Sequence, residues 1–223
     1  DYLGRIGERR PEGSRFHFFH SAGGMASIGA VADHPLMLAM SGPAAGVAAS
    51  ARIAAQIRDE IGTDQALTFD MGGTTTDVCL VADGAAQVRS DHRLGRYRIR
   101  LPILAVESIG AGGGSIARLD SGAVLVGPQS AGADPGPACY GRGGTDATVS
   151  DADLILGYLE PGRRLGNALT LDIAKAEAVV RPIADSAGVS VEDAALGIAR
   201  ETHANMIRAL RRITVERGVD GRS

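Results

Sequence analysis

The chain has 223 residues, with 23 Lys and Arg against 26 Asp and Glu, and this near balance points away from nucleic acid and membrane surfaces. No signal peptide is evident, no apolar run is long enough for a membrane span, and two cysteines cannot build a disulfide framework or a zinc site. A reducing, cytoplasmic setting fits, and a first residue of Asp1 with an end just past a helix pattern reads as a piece of a longer protein.

Residues 1–15 are polar and glycine-rich and carry no predicted element. Phe16 to His20 has strand length and runs into the turn Ser21-Ala-Gly-Gly24, and Leu36 to Met40 reads as another short strand. Ser41 is placed as an N-cap with Pro43 just inside a helix over 44–61, closed by Gly62. Its apolar stripe is Val47, Ile53, Ile57 and Ile61, and its run of alanines suits close approach to a neighbour.

Next comes Leu67 to Val81, a strand, a glycine turn rich in hydroxyls and a second strand. Asp83-Gly84 then reads as a tight turn into a third strand, Ala85 to Ser90. Arg93, Arg96, Arg98 and Arg100 suit a solvated charged strand or loop, and Leu101 to Ile109 is strand-like again. Ile116 to Leu119 and Ala123 to Val126 flank a turn at 120–122.

The Gly- and Pro-rich stretch 127–144 fits neither helix nor central strand, and its Ala138-Cys-Tyr140 favours an ordered loop over a linker. The last third is helical: 151–159 capped by Ser150, then 172–187 with Pro182 as a kink or split. The third, from a Ser190/Asp193 capping box to about Arg217, carries its stripe on Ala195, Ile198, Thr202, Met206, Ala209 and Ile213.

The chemistry gathers at the hairpin. Gly72-Gly73 lets the backbone turn and leaves amides uncovered, while Thr74, Thr75 and Thr76 add hydroxyl donors, a set suited to phosphate oxygens. Asp70 and Asp77 at its edges would repel a bare phosphate and make sense beside a divalent cation such as Mg2+. An ordinary Gly-Gly hairpin with solvated aspartates fits the same letters. Gly110 to Ser115 fails the dinucleotide fingerprint at its sixth position, yet Gly112, Gly113, Gly114 and Ser115 suit a second phosphate- or substrate-facing turn. No Walker loop is present, and Lys175 is the single lysine. The five histidines show no metal-ligand spacing, and Cys139 reads as a small buried hydrophobe rather than a nucleophile.

Five ordered motifs, Ser41 to Val47, Phe69 to Val78, Ile109 to Ala117, Gly127 to Gly144 and Val149 to Asp153, together resemble the hydantoinase A / 5-oxoprolinase family across nearly the whole chain. The chain departs at Ala22, where the family pattern carries Asn, so no side-chain role is given to that turn. The resemblance implies an α/β, actin-like ATPase fold of two ribonuclease-H-like domains, with a mixed sheet, antiparallel hairpins and C-terminal helices. Residues 1–62 would then end the preceding lobe and supply the connecting helix, with 63–223 as the truncated second lobe. It makes the Asp70–Asp77 hairpin one of two phosphate loops, and the other lies outside this chain. It further implies ATP and Mg2+ as cofactors, with Asp70 and Asp77 catalytic and on the metal and the Gly72–Thr76 and Gly112–Ser115 residues on the nucleotide. The activity implied is ATP-dependent opening of a cyclic amide such as hydantoin or 5-oxoproline, with a hydantoinase B-like partner or fused domain. An acetone- or acetophenone-type carboxylase subunit and an inactive nucleotide-binding fragment are the alternatives.

Overall fold

The structure is a computed structural model describing residues 2–219 apart from 64, 163, 166–168, 216 and 217. Two compact units divide the chain: Asp1–Asp70 with Asp77–Glu107, and Met71–Thr76 with Ser108–Ser223. The divisions fall at residues 70, 76 and 107.

In the first unit, helix α1 (Tyr2–Glu8) occupies a stretch expected to lack structure. A neighbour accounts for it: a Cβ on Gly7 would meet Ile28 Cδ1 at 2.8 Å, so α1 lies directly against α2 (Ile28–Asp33). Strands β1 (His17–Phe19) and β2 (Met25–Ser27) form an antiparallel pair, and Ser27 caps α2 by accepting from the Ala30 N–H. Leu36 to Met40 is not a strand. Pro35 opens a single 3-10 turn over Pro35–Leu38, its fixed φ favouring a helical start.

Helix α3 (Ser41–Gln56) begins on Ser41, so Ser41 is not its cap; Met40 holds that position without a side-chain bond. The Met40 N–H donates instead to Ser21 Oγ, 3.1 Å away. The helix breaks at Ile57, and α4 (Arg58–Ile61) follows, ended by Gly62 in the left-handed region. Its expected stripe fails beyond Val47, for Ile53, Ile57 and Ile61 are exposed, and the buried face is Ala44, Val47 and Ala54. Small residues win because they let α3 sit close to Cys79, Val81, Leu104 and Val106.

Strands β3 (Ala66–Met71) and β4 (Thr76–Ala82) are the arms of the hairpin. Asp83 and Gly84 take φ of 54° and 71°, the paired positive values a tight hairpin turn demands, and lead into β5 (Ala85–Ala86) against β4. The expected third strand then breaks. Residues Val88–Arg89 form β6, which pairs with β9 (Ile103–Leu104). Between them β7 (His92–Leu94) and β8 (Tyr97–Ile99) make an arginine-rich hairpin whose four arginines are exposed. Strand β10 (Glu107–Ile109) carries the chain across the division.

The second unit opens on the antiparallel pair β11 (Ser115–Asp120) and β12 (Ala123–Ser130). Strand β12 continues through Gly127 and Pro128, where only an ordered loop was expected; a proline is tolerated there because the pairing register shifts between Ser115 and Ala117, opposite this stretch. The loop beyond carries a 3-10 turn, Ala138–Tyr140, with Ala138 and Cys139 buried. Helix α5 (Val149–Ile155) is capped by Thr148 rather than Ser150 and is shorter than the sequence suggests. After the small pair β13 (Arg164–Leu165) and β14 (Leu169–Thr170), α6 (Ile173–Ala187) runs unbroken through Pro182 from its Asp172 cap to Gly188. Helix α7 (Val191–Val215) follows Ser190, whose Oγ accepts from the Asp193 N–H. All six stripe residues of α7 are buried, and Ala195 and Ile198 join Val149, Ala152, Val180 and Ile183 in the core. The expected end near Arg217 lies outside the described residues.

Candidate phosphate and cation site

The turn between β3 and β4 belongs to the second unit and is braced from behind. The Gly72 N–H donates to Thr75 O at 2.8 Å and closes it. The segment Gly110–Ser115 lies flat against it: the Gly113 N–H donates to Gly72 O at 3.0 Å and the Gly114 N–H to Gly73 O at 2.6 Å. Side chains have no room at this contact. A Cβ on Gly112 would stand 2.7 Å from Gly72 O and Thr74 N, and one on Gly114 would stand 2.8 Å from Gly73 O. Thr76, fully buried, ties the hairpin down by donating its hydroxyl to Ala111 O.

This bracing sorts the expected ligands. The Gly112 N–H donates to Ser115 Oγ at 2.8 Å, the Ser115 N–H to Gly112 O at 2.9 Å, and the next two glycine amides go to the turn. The amides of Gly112, Gly113, Gly114 and Ser115, with the hydroxyls of Ser115 and Thr76, are therefore spent inside the protein, where the sequence suggested ligand contacts. Among the described residues, no protein acceptor receives the N–H groups of Gly73, Thr74 or Thr75, or the hydroxyls of Thr74 and Thr75. Successive amides and hydroxyls left without an acceptor are the kind of donor that suits an anion.

The carboxylates at the two ends of the turn belong to the first unit. Asp70 is exposed at the end of β3, while Asp77 is half-buried on β4. Both line a cleft of about 240 Å³ with Pro43, Gly46 and Ser50 of α3 and Thr68 of β3. Thr68 is already engaged, donating to Cys79 O at 3.3 Å. Asp77 Oδ1 is buried with no hydrogen-bond partner. A buried carboxylate oxygen left bare costs about 1–3 kcal/mol or more, so this atom calls for a water or a cation. Among the described residues no group of three or more His, Cys, Asp or Glu gathers around a point. Two carboxylates without a protein cage suit Mg2+, which keeps waters and shares its shell with phosphate oxygens. The residues fit such an ion.

Sequence reasoning missed the group behind the glycine segment. Asp151, fully buried, accepts from the Cys139 N–H at 2.7 Å, the Thr148 N–H at 3.0 Å and the Thr148 hydroxyl at 2.7 Å. The Thr148-x-x-Asp151 spacing of a capping box was the available signal. Burial, and then the Asp151 carboxylate beside it, push the Cys139 thiol far up, so it is not a nucleophile at neutral pH.

The family model described as hydantoinase/oxoprolinase matches residues 2–223. The chain belongs to the hydantoinase/oxoprolinase family. Caprolactamase subunit alpha of Pseudomonas jessenii is 43% identical over 207 residues, covering 92% of this chain and 29% of that protein. The crystal structure of ATP-dependent caprolactamase from the same organism superposes with a TM-score of 0.77 at 41% identity, over 99% of this chain and 32% of that one. The nucleotide-free structure of acetone carboxylase, from work on ATP-dependent acetone carboxylation, gives 0.83 at 32% identity, over 97% and 31%. This hydantoinase/oxoprolinase chain thus has the mixed α/β, actin-like fold with antiparallel sheets, and it spans under a third of the length of these relatives. Among its described residues no helix is long and apolar enough to cross a membrane.

Proposed function

We propose that the hairpin is the phosphate-and-cation half of a nucleotide site in an ATP-dependent enzyme that opens a cyclic amide. The observation that carries this is the braced turn, where, among the described residues, the N–H groups of Gly73, Thr74 and Thr75 and the hydroxyls of Thr74 and Thr75 meet no protein acceptor. Gly73, Thr74 and Thr75 would take phosphoryl oxygens, and Asp70 and Asp77, at the two ends of the same turn, would hold Mg2+. Bound MgATP would supply the transferable phosphoryl group and a cation to screen its charge. The donors are held before any charge develops, so they stabilise it without reorganising. Thr76 and Gly112–Ser115 act one layer back, keeping the turn in shape. In the reaction so supported, the amide oxygen would take the γ-phosphoryl group as ADP leaves, and water would attack the activated carbon. The ring nitrogen would leave with a proton as the C–N bond breaks, and hydrolysis of the resulting acyl phosphate would release phosphate. The chain would work within a longer protein, residues 1–62 ending one lobe and the remainder forming the next, beside a hydantoinase B-like partner. The subunit naming of caprolactamase supports a partner subunit.

A carboxylase reading has support of its own in the acetone carboxylase structure, the higher TM-score of the two neighbours. There an enol oxygen, rather than an amide oxygen, would be phosphorylated. ATP turnover of the full-length protein with its partner subunit separates the two: hydantoin, 5-oxoproline or caprolactam should stimulate it, and acetone with bicarbonate should not. Equal turnover with every substrate and with none would defeat both. In the same assay Asp70→Asn should lower turnover about 100-fold. As Asp70 is exposed, its stability should change by no more than about 0.5 kcal/mol. Near-normal turnover would return Asp70 to a solvated turn residue.

A further inference from the structure

We propose that Asp151 is a positioning residue for the phosphate turn, acting through the first turn of α5 and Gly113; this rests on the phosphate reading above. The path is a chain of hydrogen bonds within the second unit. Asp151 takes three donors, from Thr148 at the start of α5 and from Cys139 in the Gly- and Pro-rich loop. Among the described residues no cationic side chain pairs with it. Next to it the Ser150 N–H donates to Gly113 O at 2.7 Å. Gly113 in turn donates its own N–H to Gly72 O in the turn. A Cβ on Gly113 would meet Ser150 Oγ at 2.8 Å, so α5 touches that glycine without slack. Strand β11, which follows the glycine segment directly, joins the same start of α5, through the Ile116–Thr148 bridge and the Ala117 N–H donating to Ala147 O at 2.8 Å.

A helix of seven residues does not need a fully buried carboxylate for its cap, since an exposed Ser or Thr serves as well. What the carboxylate adds is reach. It binds the loop amide of Cys139 and both donors of Thr148 at once, and buried acceptors of this kind hold one geometry because a displaced donor goes unsatisfied. Asn at this position keeps the shape but replaces one acceptor oxygen by an NH2 group. Either the Cys139 or the Thr148 donors then face another donor.

The test uses the full-length protein with its partner subunit, assayed for KM of MgATP, KM of the ring substrate, kcat and melting temperature. Asp151→Asn should raise KM for MgATP about ten-fold, as second-layer changes do, with KM for the ring substrate unchanged. Leu154→Ala, on the same helix and fully buried but in the Cys139–Leu171–Ala176 cluster, should lower the melting temperature while leaving KM for MgATP unchanged. An unchanged KM for MgATP in Asp151→Asn overturns the proposal, and so does an equal rise in Leu154→Ala. If Asp151→Asn does not fold, Thr148→Val removes one donor at constant shape and should give a smaller rise; no rise in that folded variant is equally fatal. A wild-type enzyme with no ATP dependence brings down the phosphate reading and this proposal together. ATP dependence with an indifferent Asp151→Asn removes only the positioning role.

Discussion

Asp70 and Asp77 look equivalent in the sequence, one at each edge of the same turn, yet their surroundings separate them. Asp70 is open to water, whereas Asp77 holds one oxygen in the interior without a donor. Cys139 shows the same dependence on surroundings. Its place in a glycine-rich loop allowed a nucleophile, but full burial and the neighbouring carboxylate hold the thiol protonated. Iodoacetamide at pH 8 should therefore leave Cys139 unmodified in the native protein and label it once urea unfolds the chain, as mass spectrometry of the peptide would show. Cys139→Ala should retain substrate-dependent ATP turnover. Rapid labelling of the folded protein, or lost turnover in a folded variant, would restore a chemical role for the thiol.

Among the elements, the glycine segment 110–115 was legible as a special turn but not as a brace. Its letters say that a backbone must approach something closely; whether that is a ligand or another piece of chain depends on contacts from far along the sequence. Gly112 and Gly113 can be told apart by what their missing Cβ atoms would meet. At Gly112 the obstacle is backbone, at Gly113 a single hydroxyl on α5. Gly113→Ala should cost about 1–3 kcal/mol through overpacking, and adding Ser150→Ala should recover most of that. Gly112→Ala should cost at least as much and gain nothing from the second substitution. Urea unfolding of these four variants and of Ser150→Ala alone would measure this, and additive losses at Gly113 and Ser150 would mean that the contact is slack. Helix α3 carries a related lesson: its isoleucine period is helical, but the alanine face packs, because close approach to Cys79 and Val81 leaves no space for larger groups.

For the molecule as a whole, the pH dependence of stability has an identifiable contributor. Burial raises the Asp153 carboxyl above its ordinary value of 3.8, with His203 pulling weakly the other way. The folded state therefore holds this proton more tightly than the unfolded chain does. The stabilisation is full below 3.8 and is lost as pH rises through the raised value, so at pH 7 the ionised group weakens the fold. Asp153→Asn should raise the melting temperature at pH 7, with the gain shrinking as pH falls toward 3.8. A gain that persists unchanged at low pH, or a loss at pH 7, would contradict this account.

The sequence by itself determined the features that depend on a few consecutive residues. These are the Gly72-Gly73 turn with its flanking carboxylates, the Asp83-Gly84 turn, the helix start at Asp172, the Ser190 cap and the stripe of α7, together with the motif order that resembles the family. Tertiary structure alone decided which donors of the turn remain unspent. Thr76 is lost to Ala111, 35 residues away, and the glycine amides are lost to the turn itself, while Asp77 keeps an oxygen without a partner. It also made a helix of the N-terminal stretch and gave Asp151 its three donors. Periodicity and capping are local properties of a chain, whereas satisfying a hydrogen bond requires a partner that only folding brings near.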